Sequence, residues 1–172
     1  MCLWYTINKL NVGHLPYKSE FTKVSNMKIK KNTTGFINTS YSILTKNEFK
    51  AAIYEIGRNN NANVLEVNTN LTGKNFYFAK FEEKINKKIK YIVINPYTLY
   101  LAYASSICYG TIIFENDSWD LQNVTIEYIL LNHDQLEESL NGSIDELAEN
   151  EISQIRYWQP HTCGEVIFNY WD

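Results

Sequence analysis

The chain has 172 residues, of which 45% are hydrophobic and 15% aromatic. This composition excludes intrinsic disorder and suits one domain with a sizeable core. The net charge is only −3, but residues 115–172, the acidic third, hold thirteen acidic residues and a single basic one, Arg156. Residues 1–114 hold fifteen basic and six acidic residues. A region of net charge −12 repels phosphates, so direct nucleic-acid binding through it is disfavoured.

The expected compartment is the cytoplasm. The N-terminus lacks the basic and apolar pattern of a signal peptide. The three cysteines are Cys2, Cys108 and Cys163, an odd number without a CxxC motif, which favours a reducing environment. Residues 91–114 carry no charge but are interrupted by Asn95 and Pro96. We therefore interpret them as the interior of a soluble domain and expect no membrane association.

The first clear element is a helix over residues 46–56. Thr45 and Glu48 form a capping-box pattern, apolar residues follow at helical spacing, and Gly57 is typical of the position after a helix. Alternating or β-branched residues then predict strands at residues 64–67, 76–81 and 89–94. The charged segment 82–88 is expected to form a hairpin end between the last two strands. Weaker strand patterns occur earlier, at residues 2–7, 23–31 and 36–41.

A second helix is predicted after residue 95. Asn95 would be its N-cap and Pro96 its first residue, since both types favour these positions. Core-facing residues would then recur at helical spacing: Leu99, Ala102, Tyr103 and Ser106. Gly110 would lead into a buried strand at residues 111–114.

The acidic third is predicted to be mainly helical. Residues 124–131 fit a strand or a helix, and residues 134–140 a short helix. Ser143 and Glu146 form another capping-box pattern, followed by an apolar stripe up to Ile155 and an opposite acidic side that includes Glu151. Thr162 and Glu165 predict a last helix over residues 163–171, with a strand as the alternative. We therefore expect residues 1–172 to form one α+β domain, a mostly antiparallel sheet with helices packed on one face.

Negative charge gathered on one side is the main candidate for a binding surface. Carboxylates on such a surface resemble a phosphate array, attract a cationic cleft and speed association at low salt. The residues expected to bind a basic partner are Trp119, Glu137, Glu138, Asp145, Glu146 and Glu149. Trp119 is chosen as the exposed aromatic, whereas Trp158 and Trp171 are expected mostly to pack in the core. The alternatives are a solvated acidic face without a partner, and binding through Asn-rich loops.

Two chemical alternatives involve cysteine and histidine. Cys163 could act as a nucleophile with His161 or His133 as its base, since such residues meet in space rather than in sequence. His161 and Cys163 could also supply two metal ligands, with His14 and His133 completing the site, but a single pair without a second spaced motif is a weak indication. The lysines of residues 1–114 are scattered, which does not indicate a nucleic-acid site.

The end of the chain resembles the C-termini of bacterial immunity proteins that protect producers of contact-dependent or other polymorphic secreted toxins. The residues that carry the resemblance are Tyr157-Trp158-x-Pro160, Thr162-x-Gly164-Glu165 and Ile167-Phe168-Asn169-x-Trp171-Asp172. They cover about a tenth of the chain. Some similar proteins are partners of EndoU-type RNase toxins. The resemblance implies a cytoplasmic protein that binds the C-terminal domain of its cognate toxin and blocks the active site, without catalysis, cofactor or metal.

The leading hypothesis is therefore an immunity-protein-like domain whose acidic helices cover the active site of a basic nuclease toxin. A small Cys/His-dependent hydrolase and an acidic adaptor for another basic partner are the alternatives.

Overall fold

The computed structural model describes residues 27–36, 42–108 and 110–171. The predicted single-domain α+β class, with a mostly antiparallel sheet, is confirmed. Most residues of the early strand patterns lie outside the described residues, and residues 27–36 form no strand. The elements in chain order are α1 Lys46–Asn59, β1 Ala62–Asn68, β2 Tyr77–Glu83, β3 Ile89–Ile94, β4 Tyr100–Cys108, β5 Thr111–Glu115, β6 Ile129–Leu130, α2 His133–Glu137, α3 Glu149–Trp158 and α4 Cys163–Ile167.

Strands β1 to β5 form an antiparallel meander in sequence order. The short β6 pairs in parallel with the beginning of β4, where Tyr100 lies opposite Ile129 and Leu101 opposite Leu130. Antiparallel neighbours need only short connections, which matches the charged hairpin predicted between β2 and β3. Among the described residues, no helix is long and apolar enough to cross a membrane.

Both faces of the sheet are covered. Neighbouring strand residues point to opposite faces, so Val93 and Ala102 belong to one apolar cluster and Ile92 and Leu101 to the other. Helices α2, α3 and α4 pack on the first face, which we call the C-terminal face. Helix α1 and residues 119–128 cover the second, the α1 face. Helices α2, α3 and α4 thus share one face of the sheet. Helix α1 lies on the other face, so the domain has three layers with the sheet in the middle.

The helix predicted after Asn95 is wrong, because this part of the chain is a tight turn followed by β4. The Asn95 side chain does accept a hydrogen bond from a nearby backbone N–H, that of Tyr97 at 2.9 Å, but within a turn. Leu99 has a φ of +63°, which a helix does not allow. Every residue from Tyr100 to Ala104 is buried. A strand buried on both faces has no alternating pattern, so its apolar residues also fitted a helical period.

Helix α1 continues past its predicted end, so Gly57 lies inside it rather than after it. A Cβ atom at this position would lie 3.0 Å from Cγ2 of Val64 and 3.3 Å from the backbone oxygen of Ala62. The glycine therefore allows α1 to approach β1 closely. The predicted capping box is present: Thr45 Oγ1 accepts from the backbone N–H of Glu48, and Glu48 Oε2 accepts from that of Thr45 at 2.8 Å.

The helices of the acidic third are shorter than predicted. No helix starts at Ser143, and α3 begins six residues later, at Glu149. Residues 141–147 form turns instead. Helix α4 ends at Ile167 and the chain continues to Trp171 without regular structure. Capping patterns show where a helix could begin, but tertiary packing decides which of them is used.

Three buried asparagines, Asn75, Asn95 and Asn169, form a hydrogen-bond network that joins residues 167–169 to the sheet. The Asn75 and Asn95 amides both donate to the carbonyls of Thr33 and Ile167, at 2.7 to 3.1 Å. Asn169 donates its backbone N–H to Asn75 Oδ1 at 2.8 Å, and its amide to the backbone of residues 34 and 166. We call this cluster the asparagine junction. It satisfies backbone groups that would otherwise be buried without partners.

Candidate functional site

Five of the six predicted binding residues lie in one layer, on the C-terminal face. Glu137 and Glu138 stand at the end of α2, Asp145 and Glu146 in the following turns, and Glu149 begins α3. All but the half-buried Glu138 are exposed. We call these five residues the acidic cluster.

The segment formed by residues 27–36 lies along the acidic cluster. Glu138 Oε2 accepts from the backbone N–H of Met27 at 3.2 Å, and Ile29 donates its backbone N–H to the carbonyl of Ser143 at 2.8 Å. The Lys28 ammonium lies 3.6 Å from the Glu146 carboxylate. This pair is more than half exposed and contributes at most about 1 kcal/mol. Glu137, Asp145 and Glu149 form no ion pair with a described residue.

Trp119 does not belong to this group, and its predicted position as an exposed aromatic beside the acidic helices is wrong. It is half-buried and packs edge-on against Phe81, with ring centroids 4.9 Å apart, in the cluster on the α1 face. Its indole N–H donates to Glu83 at 3.2 Å, and the Lys90 ammonium lies 5.1 Å from its ring centroid. Its contacts indicate a structural role.

Lys90 is a nearly buried cation between two carboxylates, those of Glu83, at 2.7 Å, and Asp117. Burial by itself would lower the pKa of Lys90, but the hydrogen bonds to Asp117 and Glu83 outweigh it and raise the pKa. The hydrogen bond from Lys90, assisted by those from Asn86 and Trp119, lowers the pKa of Glu83 to about 2. The Lys90–Glu83 pair therefore stays charged and stabilises the fold over a wide pH range.

The expectation of one acidic side is also corrected. Lysines of residues 1–114 reach three carboxylates of the acidic third: Lys28 pairs with Glu146, Lys88 with Glu115 at 3.3 Å, and Lys90 with Asp117. The acidic residues are also divided between two layers. Asp120 lies beside the end of α1, where its backbone N–H donates to Asn60 Oδ1 at 2.7 Å. The acidic cluster, by contrast, lies on the C-terminal face.

Glu151, predicted on the exposed acidic side of its helix, is fully buried. Its Oε1 accepts from the backbone N–H and the hydroxyl of Thr34, at 3.1 and 3.0 Å. Its Oε2 accepts from the backbone N–H groups of Asn32 and Ala148, at 3.0 and 3.1 Å. Four donors thus replace the water that this carboxylate would lose on burial. The burial of Glu151 depends on residues 32–34, which are distant in sequence. Sequence analysis therefore could not predict it.

An open cleft lined by aromatic residues and one carboxylate lies beside the far end of α3. This aromatic cleft has a volume of about 400 Å³, and Trp158, Glu165, Tyr170 and Trp171 are among the residues that line it. The Trp158 and Trp171 rings are parallel within 4°, with centroids 6.4 Å apart. Trp158 is 38% exposed, and Tyr157, which contacts it edge-on, is 76% exposed. The prediction that Trp158 packs in the core is therefore wrong, and Trp171 is half-buried.

The turn into α4 builds one wall of the aromatic cleft. Thr162 Oγ1 accepts from the Glu165 backbone N–H at 3.3 Å, and Glu165 Oε2 accepts from the His161 backbone N–H at 2.6 Å. A Cβ atom on Gly164 would lie only 2.7 Å from the Phe114 ring and 3.0 Å from the carbonyl of Leu136. Glycine is therefore needed where α4 packs on β5 and α2.

Helix α3 connects the acidic cluster with the aromatic cleft. Glu149, Ser153 and Tyr157 are exposed and follow one another at intervals of four residues, so they share a face of the helix. Ten residues give α3 a length of about 15 Å. Arg156, the single base of the acidic third, is also exposed on this helix. Sequence analysis missed the exposed Tyr157 and Trp158, although interfaces favour both residue types.

The geometry does not favour a nucleophilic role for Cys163. The residue is fully buried, and burial raises the pKa of its thiol, whereas a nucleophile needs a lowered one. His161, by contrast, is exposed. Among the described residues, no group of three or more His, Cys, Asp or Glu side chains could hold a metal ion. His14 lies outside the described residues.

Comparison of the chain with protein-family models, with curated proteins and with solved structures finds no match.

Proposed function

We propose that this chain is an immunity protein that binds a basic nuclease toxin, such as an EndoU-type RNase, and neutralises it by covering its active site. The observation that carries the proposal is the arrangement around α3. Trp158, Glu165 and Trp171, three of the residues that resemble immunity proteins, line an open cleft at one end of this helix. The acidic cluster begins at its other end. The proposed role is binding, without a catalytic step.

Two kinds of contact would act together in such a complex. The carboxylates of Glu137, Asp145 and Glu149, which form no ion pair with a described residue, would attract a cationic active-site cleft and speed association. This effect weakens as salt screens the charges. Tyr157 and Trp158 would supply apolar contact area at the centre of the interface, as tyrosine and tryptophan do in many complexes. The basic partner would be the C-terminal domain of the toxin.

The proposal is tested by co-expression with the C-terminal domain of a basic nuclease toxin, which the proposal expects to be encoded directly upstream of this chain's gene. The expected result is a complex that survives purification, together with growth of cells that the toxin domain alone kills. An unrelated immunity protein is the control and should not protect. A toxin domain that remains fully active in the presence of excess folded chain would contradict the proposal.

An acidic adaptor for another basic protein would use the same surface. Under this alternative, the chain would bind its partner without abolishing a toxic activity. The growth measurement therefore separates the two functions, whereas co-purification by itself does not.

A further inference from the structure

The chemistry of the aromatic cleft points to one kind of occupant. With histidine counted as neutral, Glu165 carries the only formal charge among the described residues that line it. The rings of Trp158, Tyr170 and Trp171 supply much of the remaining lining. Aromatic faces attract cations through their quadrupoles, tryptophan most strongly, and a carboxylate beside them adds a charged acceptor.

We infer that the aromatic cleft receives an arginine side chain of the partner protein, stacked on the tryptophan rings and bonded to the Glu165 carboxylate. This inference rests on the proposed function and specifies the toxin group that the immunity protein would hold. Arginine is favoured over lysine because its planar guanidinium stacks on aromatic rings and presents several N–H groups to a carboxylate.

The charges around the aromatic cleft also favour a cationic occupant. Glu165 is exposed, and one of its oxygens already accepts from the His161 backbone N–H, which fixes the position of the carboxylate. A carboxylate has acceptor capacity for further donors. Arg156 and the lysines of the described residues do not line the cleft. A guanidinium entering it would therefore meet negative charge and aromatic faces without a competing cation among the described lining residues.

The first experiment measures binding of a small probe to the intact chain. N-acetyl-arginine amide is titrated while the indole N–H signals of the tryptophans are followed by NMR, with Trp119 as an internal reference. The expected result is a saturable shift of the Trp158 and Trp171 signals, with Trp119 unchanged. The neutral isostere N-acetyl-citrulline amide and N-acetyl-lysine amide should each bind about fivefold to tenfold more weakly. Equal binding of all three probes would overturn the inference.

Matched variants test the two groups that would hold the arginine, the Glu165 carboxylate and the Trp158 ring. Glu165→Gln keeps the size and an acceptor for the His161 N–H but removes the charge, and should weaken the arginine probe about fivefold. Glu66→Gln, which changes an exposed carboxylate of β1 outside both the cleft and the acidic cluster, should leave probe binding unchanged. Trp158→Ala should abolish the saturable shift, whereas Tyr54→Ala removes an exposed aromatic of α1, on the opposite face, and should not. If each cleft variant changes probe binding no more than its control does, the cleft is not the arginine site.

The same variants separate this inference from the proposed function. If Glu165→Gln and Trp158→Ala bind and neutralise the toxin as the unchanged chain does, the arginine site is wrong and the immunity function stands. If the unchanged chain binds the arginine probe selectively but neutralises no toxin, the arginine site stands and the proposed function is wrong.

Discussion

The inner and outer sides of the C-terminal stretch, residues 157–171, have opposite characters. On its inner side, Asn169 joins Asn75 and Asn95 in the buried asparagine junction. On its outer side, Trp158 and Trp171 border an open cleft. This one short stretch therefore combines residues that hold the fold with residues that are open to solvent.

The largest effect is expected from the inner side. Asn95→Ala removes donors to the buried carbonyls of Thr33 and Ile167 and should lower the free energy of unfolding by about 2–4 kcal/mol. Urea denaturation measures this change. Asn47→Ala, at an exposed position of α1, is the control and should alter stability by less than about 0.5 kcal/mol. Equal stability of the two variants would show that the junction contributes little.

Glu151 and Glu149 repeat the comparison within one helix. Glu151→Gln keeps the side-chain size but turns an amide N–H₂ toward backbone donors, and should destabilise the chain by about 2–3 kcal/mol. Glu149→Gln changes an exposed carboxylate at the start of the same helix and should stay within about 0.5 kcal/mol. A similar loss in both variants, measured by thermal and urea unfolding, would contradict the assigned burial of Glu151.

The contribution of the Lys90–Glu83 pair to the free energy of unfolding depends on pH. Because the pKa of Glu83 is lowered from 4.5 to about 2, its contribution is complete above pH 4.5 and is lost as the pH falls toward 2. Lys90→Met removes the main cause of this shift, so stability should fall less steeply between pH 4.5 and 2 than in the unchanged chain. Unfolding free energies across this range measure the slope, and parallel curves would remove Lys90 as the cause.

The smallest effect is expected on the outer side, in the rate of binding. Glu149→Lys should slow association with the toxin domain about twofold to fivefold at low salt, and less at 0.5 M salt, because screening weakens long-range attraction. Glu66→Lys on the exposed edge strand β1 changes the net charge equally and serves as the control. Stopped-flow or surface-plasmon measurements give both rates. Equal slowing would indicate net charge rather than a local binding surface.

Local signals predicted those elements whose formation depends on neighbouring residues. The start of α1 follows from the reciprocal bonds between Thr45 and Glu48, and the hairpin between β2 and β3 from two β-rich runs around a charged turn. Strand β4 was missed because residues buried on both sides lose the alternation that identifies a strand. The Ser143 capping pattern was misleading because α3 starts at Glu149, where residues 32–34 bind Glu151.

The candidate site was predictable only in part. The acidic cluster follows from composition, since a run of carboxylates near helix starts and turns remains mostly at the surface. The separation of Trp119 from this cluster could not be predicted, because it depends on which face of the sheet residues 119–128 cover. The exposure of Tyr157 and Trp158 likewise depends on how much of α3 is covered by other segments.

The amino-acid sequence by itself determined the α+β class, the strong local elements and the excess of acid in the last third, because these depend on residue type and short-range spacing. Tertiary structure alone decided which carboxylates meet lysines, which one is buried, and which aromatic residues border a cleft. Each of these outcomes needs groups from distant parts of the chain to come together, such as Lys28 with Glu146 or Thr34 with Glu151. Residue order does not specify such contacts until the sheet and its two covering layers are assembled.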